Sequence, residues 1–358
     1  MNKKNLSPAS FIGIRSTNTI SFGSGEPDLP PPNEVYTVLP SDYTNFKYGS
    51  IQGQEDLRAS LAKQYPNSTE NSFIITNGAS EALDLTLRVI AKYESSLPKK
   101  VLIAKPFYYS YPPMIKYSGM ETVYLKTEEG QIDLDDLRKK IIDCRAIIIN
   151  SPSNPTGRVE SINTLKEIES LANQYGVFVI SDEVYKDLIY IQKNYSIAGP
   201  HVITINSFSK TYGMCGLRVG YLWSLDNTLI KDIIQMKTHT SMNTNILGQA
   251  MAMKATKTPR SFIREQLKVW QDRRNLLYNG LKKIDPDLWN PEGAFYMLPK
   301  IEKSAEFVWD MYRKYDVISY MGAWFGAPGR VRFSYALDKK KIEEGLFRIN
   351  EYLNSRHL

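Results

Sequence analysis

The sequence has 358 residues, of which 42% are hydrophobic, so it can bury a large core in two domains or in one large domain with a smaller satellite. No apolar run approaches the roughly 20 residues of a membrane-spanning helix, and two cysteines and three widely spaced histidines support neither a disulfide framework nor a metal site. The formal net charge of +7 comes from scattered lysine pairs, which favours a solvated surface that attracts small anionic substrates over a face that binds nucleic acid.

The N-terminal segment predicts neither a targeting signal nor regular structure. Lys3 and Lys4 are not followed by an apolar block, so residues 1–20 do not resemble a secretory signal, and we expect a cytoplasmic location. The residues before about Asn45 are rich in proline and lack a helix or strand period. We expect this segment to wrap around the body of the protein or to return to a smaller domain.

The middle of the chain alternates short apolar runs with longer amphipathic stretches. This alternation predicts an α/β fold whose large domain has a mostly parallel sheet flanked by helices. The predicted helices include Asp133–Ile142 and Ile162–Tyr175. The predicted buried strands are Val101–Ala104, Ala146–Ile149, Val177–Ile180 and Val202–Ile205.

The C-terminal third has a different pattern. A long helical stretch is predicted from about Asn245 to Lys283, followed by short strands and a final helix over Lys340–Asn354. We therefore expect a smaller α+β domain. Residues 40–245 would form the large cofactor-binding domain, and residues 1–39 and 246–358 the small one, with an N-terminal arm and a long connecting helix.

Polar residues directly follow the predicted strands. In an open α/β sheet the binding site lies beyond the carboxyl ends of the strands, so these residues should converge at one edge. The segments concerned are Asn150–Gly157, Ser181–Tyr185 and Asn206–Lys210, with Arg218 soon afterwards and Thr76–Glu81 opening an earlier helix.

The spacing of these segments is more specific than any one of the segments alone. A lysine after a strand is usually a surface lysine, an aspartate there is often a helix cap, and Asn-Pro-Thr-Gly is most often a turn. Here, however, Asn154 precedes Asp182 by 28 residues, Asp182 precedes Lys210 by 28, and Arg218 follows 8 later. In these features the chain resembles the fold-type I pyridoxal-phosphate aminotransferases of class I/II, the aspartate and aromatic group included, from Gly25-Glu-Pro-Asp28 to Arg332-Phe-Ser334.

The resemblance implies a role for each of the residues around the cofactor ring. Lys210 would hold pyridoxal 5′-phosphate as a Schiff base and move the proton during catalysis. Asp182 would pair with the pyridine nitrogen and keep it protonated. Tyr185 and Asn154 would hydrogen-bond the phenolic oxygen, and Tyr108, which has Tyr109 beside it, would stack on the ring.

The resemblance also implies which residues bind the phosphate and the substrate. The phosphate would be held by Ala79, Ser80, Ser207, Ser209 and Arg218, with Tyr48 reaching the phosphate of a neighbouring subunit in a homodimer. Gly25, Asn154 and Arg332 would contact the substrate, Arg332 by gripping its α-carboxylate. Arg330 would share a strand face with Arg332, but Arg332 fits the Arg-x-Ser pattern of the family.

Two segments that help to shape the substrate pocket in this family depart from the family pattern. The segment before Gly25 is short, and Met321–Gly326 departs from the Pro-Gly and Phe-Gly pairs that the family often has there. The blocks Gly25–Asp28 and Pro291–Phe295 favour an aspartate or aromatic amino donor with 2-oxoglutarate as acceptor. Arg15 is a candidate to contact an acidic side chain.

Other functions fit part of the pattern. The short chain and Gly216-Leu-Arg218 suggest histidinol-phosphate aminotransferase as the rival, and the same core also serves lyases and decarboxylases. A regulatory domain without activity is disfavoured by the intact set of Lys210, Asp182 and Asn154. We expect amino acids and 2-oxo acids as binding partners, and no nucleic acid or membrane.

Overall fold

The computed structural model describes Pro8 and residues 18–38, 47–191 and 195–355. The strands of this part are β1 Ile20–Ser21, β2 Phe73–Thr76, β3 Lys100–Ala104, β4 Glu121–Leu125, β5 Thr127–Glu128, β6 Gln131–Ile132, β7 Ala146–Asn150, β8 Phe178–Asp182, β9 Val202–Ser207, β10 Gly220–Ser224, β11 Tyr296–Met297, β12 Val317–Ile318, β13 Tyr320–Met321 and β14 Val331–Ser334. The helices are α1 Glu55–Ala62, α2 Gly78–Lys92, α3 Tyr111–Tyr117, α4 Leu134–Ile141, α5 Ile162–Tyr175, α6 Phe208–Thr211, α7 Asn227–Thr238, α8 Ile246–Ala255, α9 Arg260–Leu281, α10 Ser304–Tyr315 and α11 Lys339–Asn354.

The central sheet has seven strands in the order β2-β10-β9-β8-β7-β3-β4. Strands β4, β3, β7, β8 and β9 run parallel, and β10 pairs antiparallel with both β9 and β2. The prediction of a mostly parallel sheet is therefore confirmed. All four strands predicted in this region are present.

Both faces of the sheet are covered, which explains why its strands are continuous apolar runs. Because side chains alternate along a strand, Ala146 and Ile148 of β7 pack into a core with α2 and α7. Ile147 and Ile149 point to the other side and pack into a core with α4 and α5. The helices thus flank the sheet as the strand and helix alternation predicts.

The helical stretch predicted from about Asn245 to Lys283 is present, but it is not one continuous helix. The stretch consists of two helices, α8 and α9, which are separated by Thr256–Pro259. Pro259 lacks a backbone N–H and stands at the cap position that starts α9, so it cannot continue α8. Ala252 and Ala255 of α8 pack with Leu57 of α1 and Phe73 of β2.

The C-terminal strands form a small sheet of their own. Its order is β11-β14-β13, and all its pairings are antiparallel. The N-terminal β1 pairs parallel with β12, so the described part of the N-terminal segment does return to the C-terminal region, as expected. The domain boundaries given above remain a prediction. Within the described ranges, no helix is both long enough and apolar enough to span a bilayer.

Candidate active site

A cavity of about 550 Å³ opens at the carboxyl edge of the central sheet. The sheet register explains its position, since Asn150 at the end of β7 pairs with Asp182 at the end of β8, and Asp182 pairs with Ile205 of β9. The residues that the sequence pattern assigned to the site converge here. Those that line the cavity are Gly25, Ala79, Ser80, Tyr108, Asn154, Asp182, Tyr185, Ser207, Ser209, Lys210, Arg218 and Arg332.

Asp182 is a buried carboxyl group with few hydrogen-bond donors. The hydroxyl of Tyr111 donates to its Oδ2 at 2.6 Å, and the backbone N–H of Val184 donates to Oδ1 at 3.3 Å. Burial raises the pKa of Asp182 to about 6, although Tyr111, Val184 and the nearby charge of Lys210 act in the opposite direction. Such a carboxylate gains from a cationic partner in the cavity, and a protonated pyridine nitrogen would supply one.

Asn150 connects the ends of two neighbouring strands. Its side-chain nitrogen donates to the backbone carbonyl of Asp182 at 3.1 Å, and its Oδ1 accepts from the backbone N–H of Asn154 at 2.8 Å. One amide side chain thereby fixes the relative positions of the carboxylate and of the Asn154 loop.

Lys210 lies on α6, the short helix that follows β9. Ser207 begins this helix, and its hydroxyl accepts the backbone N–H of Ser209 at 3.1 Å. The Nζ of Lys210 donates to the backbone carbonyl of Gly25 at 2.6 Å. The amine is therefore held by a neutral acceptor and is not ion-paired within the parts of the chain described.

The start of α2 and Arg218 form one end of the cavity. Arg218 has a φ of 55° and sits just before β10, and a Cβ at Gly78 would lie 2.6 Å from its Nη2. A Cβ at Gly220 would lie 2.7 Å from the backbone nitrogen of Ala79, so glycine lets the helix start approach β10 closely. A helix N-terminus, a guanidinium and the hydroxyls of Ser207 and Ser209 together suit a phosphate group.

Arg332 is a buried guanidinium that lacks a carboxylate partner among the described residues. Its Nη1 donates to Asn154 Oδ1 at 2.9 Å and its Nη2 to the carbonyl of Gly23 at 2.6 Å. Its Nε has no hydrogen-bond partner in the same part of the chain. Because a buried cation without an anion is costly, this site favours an anionic ligand such as a carboxylate.

Aromatic rings surround the guanidinium of Arg332. The ring centres of Tyr296, Tyr320 and Phe325 lie 4.6, 4.9 and 4.6 Å from its Cζ. Together with Asp182 and the phosphate-binding end, this arrangement fits pyridoxal 5′-phosphate with an amino acid beside it. In the described part of the chain, no group of side chains suits a metal ion.

Three sequence-based expectations have a different outcome. Tyr48 does not line the cavity and is 85% exposed, so its expected contact with a second subunit remains a prediction. The expectation that Arg330 shares the site face is wrong, because it turns away to the carbonyl of Leu298 and to the ring of Trp289. Arg15 lies outside the described residues.

Several site residues received no role from the sequence pattern. Tyr111 and Asn150 both contact Asp182, and Tyr296 and Tyr320 border Arg332. Asn150 is the last residue of β7, and the expectation that residues at the carboxyl ends of parallel strands line the site applies to it as well. The tyrosines have no such local signal in a chain that contains 23 of them.

Known proteins resemble this chain over nearly its whole length. The model of the family "Aminotransferase class I and II" matches residues 17–349. The probable aspartate/prephenate aminotransferase of Aquifex aeolicus is 31% identical, with 96% of this chain and 93% of that protein covered. Aromatic-amino-acid aminotransferase 2 of Thermococcus litoralis is also 31% identical, over 95% of this chain and 92% of that protein.

Solved structures agree with the sequence matches. The aspartate aminotransferase of Thermotoga maritima superimposes with a TM-score of 0.88 at 28% identity, covering 97% of this chain and 95% of that one. The aromatic aminotransferase of Pyrococcus horikoshii gives 0.86 at 30% identity, over 98% and 100% of the two chains. The chain therefore belongs to the class I and II aminotransferases, enzymes that use pyridoxal 5′-phosphate to move amino groups between amino acids and 2-oxo acids.

Proposed function

We propose that this aminotransferase takes its amino group from aspartate or an aromatic amino acid, passes it to 2-oxoglutarate, and works as a homodimer in the cytoplasm. The observation that carries the substrate class is the buried Arg332, whose guanidinium lies between three aromatic rings. An arginine suits the carboxylate that all amino acids share, and the rings suit an aromatic side chain. Relatives named for aspartate and for aromatic substrates support both donors.

The cofactor supplies an electron sink, and the protein supplies position and proton transfer. In our proposal Lys210 would hold the cofactor covalently in the resting enzyme. During the reaction its free amine would accept the proton of the substrate Cα and give it back. The carbonyl of Gly25, 2.6 Å from Nζ, holds the amine inside the cavity, where this role needs it.

The remaining groups bind and orient. Asp182 would keep the pyridine nitrogen protonated, and Tyr185 and Asn154 would donate to the phenolic oxygen. The phosphate would sit against the start of α2 and Arg218. Arg332 would hold the α-carboxylate and thereby orient the substrate.

An acidic side chain of the donor needs a cation of its own. Among the described residues that line the cavity, the cations are Lys210, Arg218 and Arg332, all with proposed roles elsewhere. A second cation for an acidic side chain would have to come from outside these residues, and Arg15 remains a prediction for it. The relatives named above give no support to histidinol phosphate, lyase or decarboxylase activity.

A panel of amino donors tests this proposal. The purified, cofactor-loaded enzyme is assayed with 2-oxoglutarate and each of aspartate, tyrosine, phenylalanine, alanine and histidinol phosphate. We expect the highest kcat/KM for aspartate or for the two aromatic donors. A higher kcat/KM for alanine or histidinol phosphate would contradict the substrate proposal without touching the reaction class.

Arg332→Lys should weaken the enzyme towards every substrate alike. We expect kcat/KM to fall at least about tenfold for acidic and aromatic donors, because an ammonium group cannot make the two-pronged contact of a guanidinium. Arg330→Lys is the matched control, since Arg330 points away from the cavity, and should leave kcat/KM unchanged. A loss confined to dicarboxylic substrates would instead place Arg332 at the side-chain end of the pocket.

Tyr48→Phe should loosen cofactor binding modestly, because Tyr48 is proposed to reach the phosphate bound by the partner subunit. One hydrogen bond to a charged group is worth about 1.5–3 kcal/mol, so we expect the dissociation constant of the cofactor to rise roughly tenfold or more. Tyr117→Phe, at another exposed tyrosine, is the control. Sedimentation that finds a fully active monomer at assay concentration would refute the shared site.

A further inference from the structure

Tyr296 contacts several groups of the active site, although the sequence pattern assigns it no role. It lies on β11, and its pairing with Ser334 of β14 brings it beside Arg332 on the same small sheet. It is almost completely buried and lines the cavity. In the sequence it directly follows the Pro291–Phe295 block, which was used above only to infer the substrate class.

The hydroxyl of Tyr296 meets the hydroxyl of Tyr185. The two oxygens are 2.8 Å apart, and both side chains are buried. A tyrosine hydroxyl carries one proton and can also accept a hydrogen bond. If Tyr185 gives its proton to the phenolic oxygen of the cofactor, the proton between the two tyrosines must come from Tyr296.

This arrangement makes Tyr185 a better donor. Burial raises the pKa of Tyr185 well above its usual value, so Tyr185 stays protonated and can donate. A hydroxyl that accepts a hydrogen bond is polarised and donates more strongly, since chains of hydrogen bonds reinforce one another. The direction of the Tyr296 proton therefore decides where the Tyr185 proton points.

The rest of Tyr296 contacts two other parts of the site. Its ring lies 4.6 Å from the Cζ of Arg332, a cation–π distance. A Cβ at Gly25 would lie 2.5 Å from its hydroxyl oxygen, so the segment that offers a carbonyl to Lys210 rests against the same side chain. The hydroxyl and the ring thus contact different neighbours. A substitution that removes only the hydroxyl can therefore distinguish the effect of the hydroxyl from that of the ring.

We propose that Tyr296 is a positioning residue whose hydroxyl donates to Tyr185 and thereby directs the proton of Tyr185 to the phenolic oxygen of the cofactor. The inference rests on the proposed roles of Lys210 and Tyr185. Negative charge on the phenolic oxygen favours the protonated form of the nitrogen that links Lys210 to the cofactor. A hydrogen bond donated to this oxygen reduces its charge and so lowers the pKa of that nitrogen. Loss of the Tyr296 hydroxyl should therefore raise the pKa of this nitrogen.

The test is a pH titration of the visible absorption of the cofactor-loaded enzyme. Tyr296→Phe keeps the ring and removes the hydroxyl, and we expect the titration midpoint to rise by about 0.4–1 pH unit. We expect the KM for the amino donor to change less than about twofold, since the ring still faces Arg332. Tyr335→Phe, which removes another buried hydroxyl from the same core outside the cavity, should leave the midpoint unchanged.

A double-mutant cycle tests whether Tyr296 acts through Tyr185. Tyr185→Phe alone should raise the midpoint more than Tyr296→Phe, and Tyr296→Phe should have no further effect in the Tyr185→Phe background. An unchanged midpoint in the single variant, or an equal shift in both backgrounds, would overturn the inference. If the wild-type enzyme shows no visible absorption that borohydride abolishes, the proposed function itself fails, which is a separate result.

Discussion

Lys210→Ala is expected to retain cofactor but to lose turnover almost completely. Arg218 and the start of α2 at Ala79 are untouched by the substitution, so the phosphate should still be held without the covalent link. No other amine of the described residues that line the cavity can take the proton from the substrate Cα. We expect kcat to fall by about 10⁴-fold or more. Equilibrium dialysis of the cofactor and single-turnover kinetics measure the two effects separately.

Two controls make the assignment specific. Borohydride treatment of the wild type, followed by peptide mapping, should place the cofactor on Lys210, and a label on any other lysine would end the assignment. Lys210→Arg keeps a cation near the carbonyl of Gly25 but offers no amine that readily loses its proton, so it should be as inactive as Lys210→Ala. Lys99→Ala, at an exposed lysine that does not line the cavity, should behave like the wild type.

Asp182→Ala should produce the second largest loss. Without the buried carboxylate at the end of β8, the pyridine nitrogen would lose its proposed anionic partner, and the cofactor would accept electrons poorly. We expect kcat to fall on the order of 10³-fold, while Asp182→Glu should retain part of the activity. Activity of Asp182→Ala close to that of the wild type would rule out this role.

The pKa of Asp182 also predicts a pH dependence in the cofactor-free protein. Its value is raised from 3.8 to about 6 by burial, so between these pH values the folded state binds the proton that the unfolded chain has lost. The free energy of unfolding should therefore decrease as the pH rises from about 4 to about 6, by at most about 3 kcal/mol from this group.

Comparison with Asp182→Asn isolates this contribution. Glu160, another buried carboxyl group, has its pKa raised to about 7 by burial, so the wild type contains more than one such group. Denaturant unfolding at about pH 4.5 and about pH 7 should show a smaller loss of stability for the variant than for the wild type. Equal losses in the two proteins would show that Asp182 is not the buried acid we describe.

Local sequence patterns determined the secondary structure of the sheet and the position of the site. Continuous apolar runs specify strands that are covered on both faces, and the residues after them must meet at one edge because parallel strands end there. This is why the strand ends and their spacing were enough to predict that Asn154, Asp182 and Lys210 lie together. Across Thr256–Pro259 the helical period continues but the helix does not, because Pro259 has no backbone N–H with which to extend α8.

Tertiary structure alone decided which side chains support those residues. Tyr111 reaches Asp182 across 71 positions of sequence, and Tyr296 reaches Tyr185 across 111. No periodic pattern records such pairs, because helix and strand periods describe only neighbours within one element. The same holds for Arg330 and Arg332, which lie two residues apart. Arg332 lies against the cavity-lining rings of Tyr296 and Tyr320, whereas Arg330 lies against Trp289, outside the cavity.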